Sequence, residues 1–143
     1  GLQRPAAKLM KRQNENIGKN VETLRKMRGL VFEMRDLLLG DGSILDVGRL
    51  LNESWEMKKT LADGITNEKV DTWHKMALEA GATGGKLMGA GAGGFMLFVC
   101  DEEKQDDLKA ALKDLKPMNI EFDMMGSRMM DVNDMSTKGE WHA

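Results

Sequence analysis

Apolar side chains recur every three or four positions through the first half of the chain, a spacing that predicts amphipathic helices. The longest stripe lies in residues 21–38, at Val21, Leu24, Met27, Val31, Met34 and Leu38. A shorter helix is expected before it, beginning near Pro5, which suits a first helical turn. The segment 14–20 holds three asparagines and a glycine, so we expect it to separate these two helices.

Two more helices are expected before the pattern changes. The sequence GDGS at 40–43 ends the second helix, and apolar residues predict a third from about Ile44 to Ala62. Thr66 or Asn67 can cap a fourth helix, which Gly81 would end. Asn52, Trp55 and Lys59 share one face of the third helix, where Trp55 is expected in the core.

The second half of the chain has a different pattern. The apolar run 94–100 predicts a fully buried strand, and 101–115 predicts a helix with acids first and lysines later, closed by Pro117. Residues 119–124 and 127–132 predict two short strands, and 84–89 is a candidate for another. Helices followed by strands indicate an α+β domain: N-terminal helices, then a small antiparallel sheet with a packed helix.

Composition limits the class of protein. A chain of 143 residues suits one domain, and 41% hydrophobic with 31% charged residues is ordinary for a globular protein. The net charge of −2 argues against a nucleic-acid binder. Because no apolar run approaches 18 residues and no signal peptide is recognisable, we expect no membrane span and a cytoplasmic location.

The charge is unevenly distributed along the chain. Residues 1–28 contain eight Lys or Arg and two acids, which makes that segment +6 and the remainder −8. Such a segment is typical of a solvated helix face. The alternative is a positive wall for a small phosphorylated ligand.

Six glycines fall within residues 84–94, directly before the apolar run. Gly89, Gly91 and Gly94 satisfy G-x-G-x-x-G, but a dinucleotide site needs a helix after the glycines, and here a strand follows. A P-loop would need glycine at Ala80 and Ser or Thr at Leu87. Two interpretations remain: a tight helix-to-strand corner, or a nest of backbone amides that binds an anion, with Lys86 adding positive charge.

The same residues resemble a known family. GGKLMGAGAGGFMLFV is similar to the third conserved motif of the GHMP small-molecule kinases. LLNESWEMKKTLADGITNEKVDTW, followed by ALEAGATGGKLMGAGAGGFMLF, resembles the C-terminal part of D-glycero-D-manno-heptose 7-phosphate kinases. GLQRPAAKLMKRQ and GSRMMDV fit the same pattern. The resemblance covers residues 1–132, which we expect to form one domain, with 133–143 as a flexible tail.

The resemblance implies a ferredoxin-like α+β C-terminal domain on the substrate side of a two-domain kinase. The full enzyme would use ATP and Mg²⁺ to phosphorylate the anomeric hydroxyl of a heptose phosphate. The ATP-cradling motif and the catalytic base belong to an N-terminal domain that these residues lack. We therefore expect a fragment that binds no cofactor and is inactive alone. Its exposed apolar face would favour self-association.

The substrate and phosphate-binding residues implied by the resemblance lie mostly in the glycine segment: Lys86, Gly89, Ala90, Gly91, Gly93, Gly94 and, from the N-terminus, Arg4. Ala92 departs from the glycine usual in the family, so ligand contact at Ala92 itself is in question. His74, His142 and Cys100 have no metal-binding spacing. The alternatives are a non-catalytic α+β ligand-binding or interaction module, and a GHMP kinase for another sugar or small alcohol.

Overall fold

The computed structural model of the protein describes residues 6–89 and 94–120, which contain five α-helices and two β-strands. In chain order these are α1 (Ala6–Glu15), α2 (Ile17–Leu39), α3 (Ile44–Lys59), α4 (Glu68–Glu79), β1 (Ala82–Met88), β2 (Phe95–Cys100) and α5 (Gln105–Ala111). A 3₁₀ turn, Glu102–Lys104, leads into α5. Four helices, an antiparallel strand pair and a last helix confirm the α+β expectation.

The break between α1 and α2 is one residue, Asn16, and is much shorter than the interruption predicted over residues 14–20. The amides of Lys19 and Asn20 bond to the Asn16 carbonyl at 3.0 and 3.1 Å, so helical hydrogen bonding resumes at once. The side-chain amides of Asn16 and Asn20 instead donate to the carbonyl of Leu61, at 3.4 and 2.7 Å. These asparagines tie α2 to the segment after α3.

The face that α2 turns to the core differs from the predicted stripe. Leu30 is the buried residue of α2, and the half-buried Met27 packs against the main core cluster. Four members of the predicted stripe are at least 37% exposed: Val21, Leu24, Val31 and Leu38. The helix carries apolar side chains on two faces, and periodicity alone selects the wrong one.

Side-chain caps begin α3 and α4. The Ser43 hydroxyl accepts a hydrogen bond from the Leu45 amide at 3.2 Å. The Asn67 side chain accepts from the amides of Lys69 and Val70 at 3.1 and 3.2 Å, which confirms Asn67 as the predicted cap. α3 ends at Lys59, short of Ala62, because the chain turns there and sends its apolar side chains inward.

The two strands form an antiparallel pair, with Lys86 opposite Leu97 and Met88 opposite Phe95. An irregularity between Ala82 and Gly84 shifts the register near the start of β1. α3 packs on this strand pair, and α4 packs beside it on β1.

Two glycines allow α3 to touch β1 with no side chain between them. A methyl group on Gly84 would overlap the carbonyl oxygen of Gly48 and lie 2.8 Å from the Cβ of Asn52. A methyl group on Gly48 would overlap the Thr83 hydroxyl and lie 3.0 Å from the Cβ of Val99. The helix and the strand are therefore in backbone-to-backbone contact.

The core forms two clusters of buried residues. The first joins α3, the following turn, α4 and β1, through Trp55, Leu61, Ala62, Ile65, Val70 and Leu87. The second lies between α4, β1 and α5, through Ala77, Ala82 and Leu112, with Phe98 and Cys100 packed against it. Trp55 is fully buried, as predicted.

The strand and helix after the glycine segment differ in detail from the predictions. β2 was predicted to be fully buried, but its residues are half-buried and Phe95 is 64% exposed, because helices cover only one side of the pair in the described part of the chain. The helix predicted over 101–115 is a 3₁₀ turn followed by a short α5. Residues 119 and 120 are not in a strand, and the rest of the predicted strands at 119–124 and 127–132 lies outside the described residues.

No helix in the described ranges has both the length and the apolar character needed to span a bilayer.

Gly84→Ala should destabilise the fold by about 3 kcal/mol or more, because the new methyl group meets backbone that cannot move aside. Gly29→Ala in α2 is the matched control, since a methyl group there has nothing within 4 Å. It should stabilise the helix by up to ~1 kcal/mol. Urea unfolding followed by circular dichroism measures both changes. Equal stabilities for the two variants would contradict the backbone contact.

The exposed apolar face of α2 should drive self-association of this chain, as the sequence also suggested. Light scattering at increasing protein concentration should show a mass above the monomer, and Val31→Glu with Leu38→Glu should restore the monomer because both side chains are more than 60% exposed. A wild-type chain that stays monomeric at high concentration would contradict this expectation.

Candidate functional site

The glycine segment connects two antiparallel strands, and this corrects the helix-to-strand corner considered from the sequence. β1 precedes it and β2 follows it. Gly89 and Gly94, at its two ends, have φ values of +107° and +130°, a backbone conformation that side chains disfavour. A methyl group on Gly94 would also overlap the carbonyl oxygen of Met88. Both ends of the connection therefore require glycine.

The predicted site residues divide into those that the structure describes and those that it does not. Lys86, Gly89 and Gly94 lie together at the end of the strand pair where β1 finishes and β2 begins. The other candidates lie outside the described residues: Ala90, Gly91, Gly93 and Arg4, together with Ala92.

Lys58 is a further candidate that the sequence analysis missed. It lies in the last turn of α3, and its ammonium group donates a hydrogen bond to the carbonyl oxygen of Gly89 at 3.0 Å. The contact joins residues far apart in sequence, so spacing could not reveal it. One signal was available: Lys58 follows Trp55 by three residues, which places both near one side of the helix.

The two lysines affect each other electrostatically. Partial burial lowers the pKa of Lys58 below its ordinary value of 10.5, and the positive charge of Lys86 lowers it further. The hydrogen bond to Gly89 places the Lys58 ammonium group at the end of β1, the strand that carries Lys86 three residues earlier, so both lysines lie beside the start of the glycine segment.

Neither ammonium group has an acidic partner within the described ranges, where no carboxylate oxygen lies within 4.0 Å of Lys58 or Lys86. The adjacent Lys59 is different. Its ammonium group lies 2.8 Å from a carboxylate oxygen of Glu56 and 3.9 Å from one of Asp71. Of the two consecutive lysines, Lys59 is neutralised by acids and Lys58 is not.

His74 of α4 packs against β1. The sequence analysis treated it as isolated, but its side chain is buried between α4 and β1, with Nε2 3.3 Å from the Gly85 carbonyl oxygen. Its ring lies 6.1 Å from that of Phe98, centroid to centroid. His74 therefore contacts the backbone of the residue before Lys86 and helps to hold β1 in position.

Two buried polar atoms on α3, Asn52 Oδ1 and Trp55 Nε1, have no hydrogen-bond partner among residues 6–89 and 94–120. Both lie on the side of the helix that packs on β1, since the Asn52 Cβ approaches Gly84 and Trp55 joins Leu87 in the first core cluster. They face the protein interior, so we assign them no part in the candidate site.

Other groups in the described ranges do not form a second site. No three His, Cys, Asp or Glu side chains there gather to hold a metal ion. A shallow groove between α2 and α3 is lined by Glu33, Leu37, Asp46, Arg49, Leu50 and Glu53. It is rich in acids, and at ~1.5 Å rise per residue its α3 residues lie about 8 to 18 Å along the helix from Lys58. Arg49 hydrogen-bonds Asp46 and lowers the pKa of that carboxyl group.

Comparison with known proteins gives the family. The family model described as GHMP kinases C terminal matches residues 34–117, more than half of the chain. The chain belongs to the GHMP kinases. The match includes α3, α4, both strands and α5, so it contains Lys58, Lys86 and both ends of the glycine segment.

Curated relatives of this GHMP kinase domain are themselves kinases. It is 32% identical over 95 residues to D-glycero-alpha-D-manno-heptose 7-phosphate kinase of Campylobacter jejuni, covering 66% of this chain and 28% of that protein. A galactokinase of Pyrococcus furiosus is 34% identical over 83 residues, covering 57% and 23%. A bifunctional fucokinase/GDP-fucose pyrophosphorylase of Arabidopsis thaliana is 29% identical over 105 residues, covering 73% and 9%. The chain thus spans under a third of each relative.

A solved structure has the same fold. Mevalonate kinase of L. major, in complex with R-mevalonate, superposes with a TM-score of 0.68 at 19% sequence identity, over 80% of this chain and 36% of that one. This likeness supports the architecture of the GHMP C-terminal domain described above.

The proximity of the two lysines predicts an unusual titration of Lys58. Because its pKa is lower in the folded protein than in the unfolded chain, the folded state binds fewer protons between the two values, and stability rises with pH across that window. ¹³C NMR of the lysine Cε resonances should give a Lys58 pKa below 10.5. The signal is assigned by its loss in Lys58→Met.

Two variants test the cause of that shift. Lys86→Met should raise the Lys58 pKa toward its ordinary value, because it removes the neighbouring positive charge. Lys75→Met is the control, since Lys75 is exposed on α4 and lies near Glu79 instead. A Lys58 titration that is unchanged in Lys86→Met would show that the two ammonium groups are not close.

Proposed function

We propose that this chain is the substrate-side C-terminal domain of an ATP-dependent sugar-phosphate kinase. The complete enzyme would transfer the γ-phosphoryl group of ATP to the anomeric hydroxyl of D-glycero-D-manno-heptose 7-phosphate. The observation that carries the proposal is the pair of ammonium groups, Lys58 and Lys86, beside the glycine segment. The likeness to a heptose 7-phosphate kinase supports the choice of substrate.

The chemistry of phosphoryl transfer explains why such a site would be useful. The reaction needs reactants held in line and negative charge stabilised on the phosphoryl oxygens, with little covalent participation by the protein. Lysine ammonium groups supply this charge without an acidic partner to compete for them. Backbone amides in a glycine-rich turn can add further donors to the same anion.

ATP and Mg²⁺ would be held largely by an N-terminal domain. ATP supplies the phosphoryl group that is transferred. The described residues suit phosphate oxygens, through two ammonium groups, but they gather no carboxylates for a metal ion. On this proposal Mg²⁺ is held by the N-terminal domain, and we expect this chain to be inactive without that domain.

The second candidate is a GHMP kinase for a different acceptor. The observation that favours it is the range of names among the relatives, which include a galactokinase and a fucokinase as well as a heptose 7-phosphate kinase. A neutral sugar would not need two ammonium groups on the substrate side, so the lysine pair favours a phosphorylated acceptor. A non-catalytic ligand-binding module is the third possibility, and it would transfer no phosphate.

The test is phosphoryl transfer by the complete gene product to heptose 7-phosphate, galactose, fucose and mevalonate, followed by ADP release. We expect kcat/KM to be highest for heptose 7-phosphate. Lys86→Met should lower it about 10²-fold, because a charged donor to the phosphate is lost. Lys75→Met should leave it unchanged. Preference for a neutral sugar would overturn the substrate, and no transfer to any acceptor would overturn the kinase.

A further inference from the structure

We propose that Lys58 and Lys86 together form a two-ammonium binding site for one terminal phosphate group, with the Gly89 carbonyl holding Lys58 in place. The site consists of the last turn of α3, the end of β1 and the first residue of the glycine segment. Attributing this phosphate to a kinase reactant rests on the function proposed above. The anion site itself rests on the contacts below.

The hydrogen bond to Gly89 leaves Lys58 able to bind a second group. A lysine ammonium group has three N–H donors and no acceptor. One donor is directed to the Gly89 oxygen at 3.0 Å, so two remain. The carbonyl is neutral, and the positive charge of Lys58 is therefore oriented without being cancelled.

A bound anion would offset two effects that disfavour the charged form of Lys58. Partial burial and a neighbouring like charge both disfavour the protonated form of Lys58. Lysines in the last turn of a helix suit its dipole, which accounts for positive charge at the end of α3. The dipole does not explain why Lys58 lies near Lys86. Lys59, in the same helical turn, already places a cation at the end of α3, and it is paired with Glu56.

Packing fixes the positions from which both side chains extend. Three residues before Lys58, Trp55 is fully buried, and one residue after Lys86, Leu87 is 2% exposed in the same cluster. The contact of Gly48 with Gly84 sets the distance between the helix and the strand. The two lysine backbones are thus held by the core, so a ligand would have only the side chains to order.

A terminal phosphate group suits two neighbouring ammonium groups. It carries close to two negative charges at neutral pH and three strong acceptor oxygens, so it can bind both lysines at once. Two reactants of a sugar-phosphate kinase carry a terminal phosphate: the sugar itself and ATP. The site is defined by the terminal phosphate that both molecules carry, and the experiment below tells the sugar phosphate from ATP.

The experiment measures how fast each lysine of the complete protein is acylated by a trace of acetic anhydride, read by mass spectrometry. The first probe is inorganic phosphate. Lys58 and Lys86 should both become protected, by roughly tenfold when phosphate is about ten times its Kd, since the free fraction falls with 1 + [L]/Kd. Lys59 and Lys75 should react at unchanged rates.

Variants separate a shared site from two independent lysines. Lys58→Met should abolish the protection of Lys86, Lys86→Met should abolish that of Lys58, and Lys58→Arg should retain part of the protection of Lys86 because the charge remains. Lys75→Met is the control and should alter neither. Circular dichroism establishes that each variant is folded. Unchanged acylation of both lysines at high phosphate, or full protection of Lys86 in a folded Lys58→Met protein, would overturn the proposal.

Further probes identify the source of the phosphate. Protection by heptose 7-phosphate, but not by unphosphorylated heptose, would support the site and assign it to the sugar. Protection by a non-hydrolysable ATP analogue with Mg²⁺ would support the site and assign it to the nucleotide. Labelling needs no turnover, so an inactive protein with protected lysines would refute the kinase alone, and an active kinase with unprotected lysines would refute this site alone.

Discussion

The backbone contact between α3 and β1 is the constraint on which the rest of the structure depends. Gly48 and Gly84 place a helix directly against a strand, at a separation that any larger residue would increase. This close approach lets Trp55 of α3 and Leu87 of β1 pack in one cluster with the turn that follows the helix. Because protein interiors are densely packed, the surrounding apolar side chains fit only at that separation.

The candidate site follows from the same contact. α3 runs across the strand pair and ends beside the point where β1 ends, so Lys58 reaches the Gly89 carbonyl although 31 residues separate them. His74 from α4 also contacts this strand, at the Gly85 carbonyl. The strand that carries Lys86 is thus contacted by both α3 and α4. The two lysines proposed to bind an anion extend from regular elements, and glycine occupies both ends of the connection between the strands.

The similarity to other GHMP kinases agrees with this division of roles. Mevalonate kinase shares the fold at 19% identity, so many sequences satisfy the same packing. The curated relatives carry names of kinases for different acceptors, which means that the fold alone does not specify the sugar.

Local sequence determined much of the secondary structure. The Asn67 cap, the burial of Trp55 and the strand after Gly94 follow from short-range preferences, and the glycine motif was sufficient to suggest the family. Local sequence misjudged Asn16 and Asn20, which resemble helix breakers until their side chains are seen bonded to Leu61. It also selected the wrong face of α2, because both faces carry apolar residues at helical spacing.

By itself, then, the sequence determined the order of the elements, the glycine positions and the family resemblance, since all three are written in neighbouring residues. Only the tertiary structure decided which face of α2 is buried and which lysine joins Lys86. Lys58 and Lys59 are adjacent and chemically identical. Glu56 precedes Lys59 on α3 itself, so that ion pair is local. The rotation of α3 in the fold decides the rest: it turns Lys59 toward Asp71 and Lys58 toward the Gly89 carbonyl, because neighbouring residues of a helix point about 100° apart.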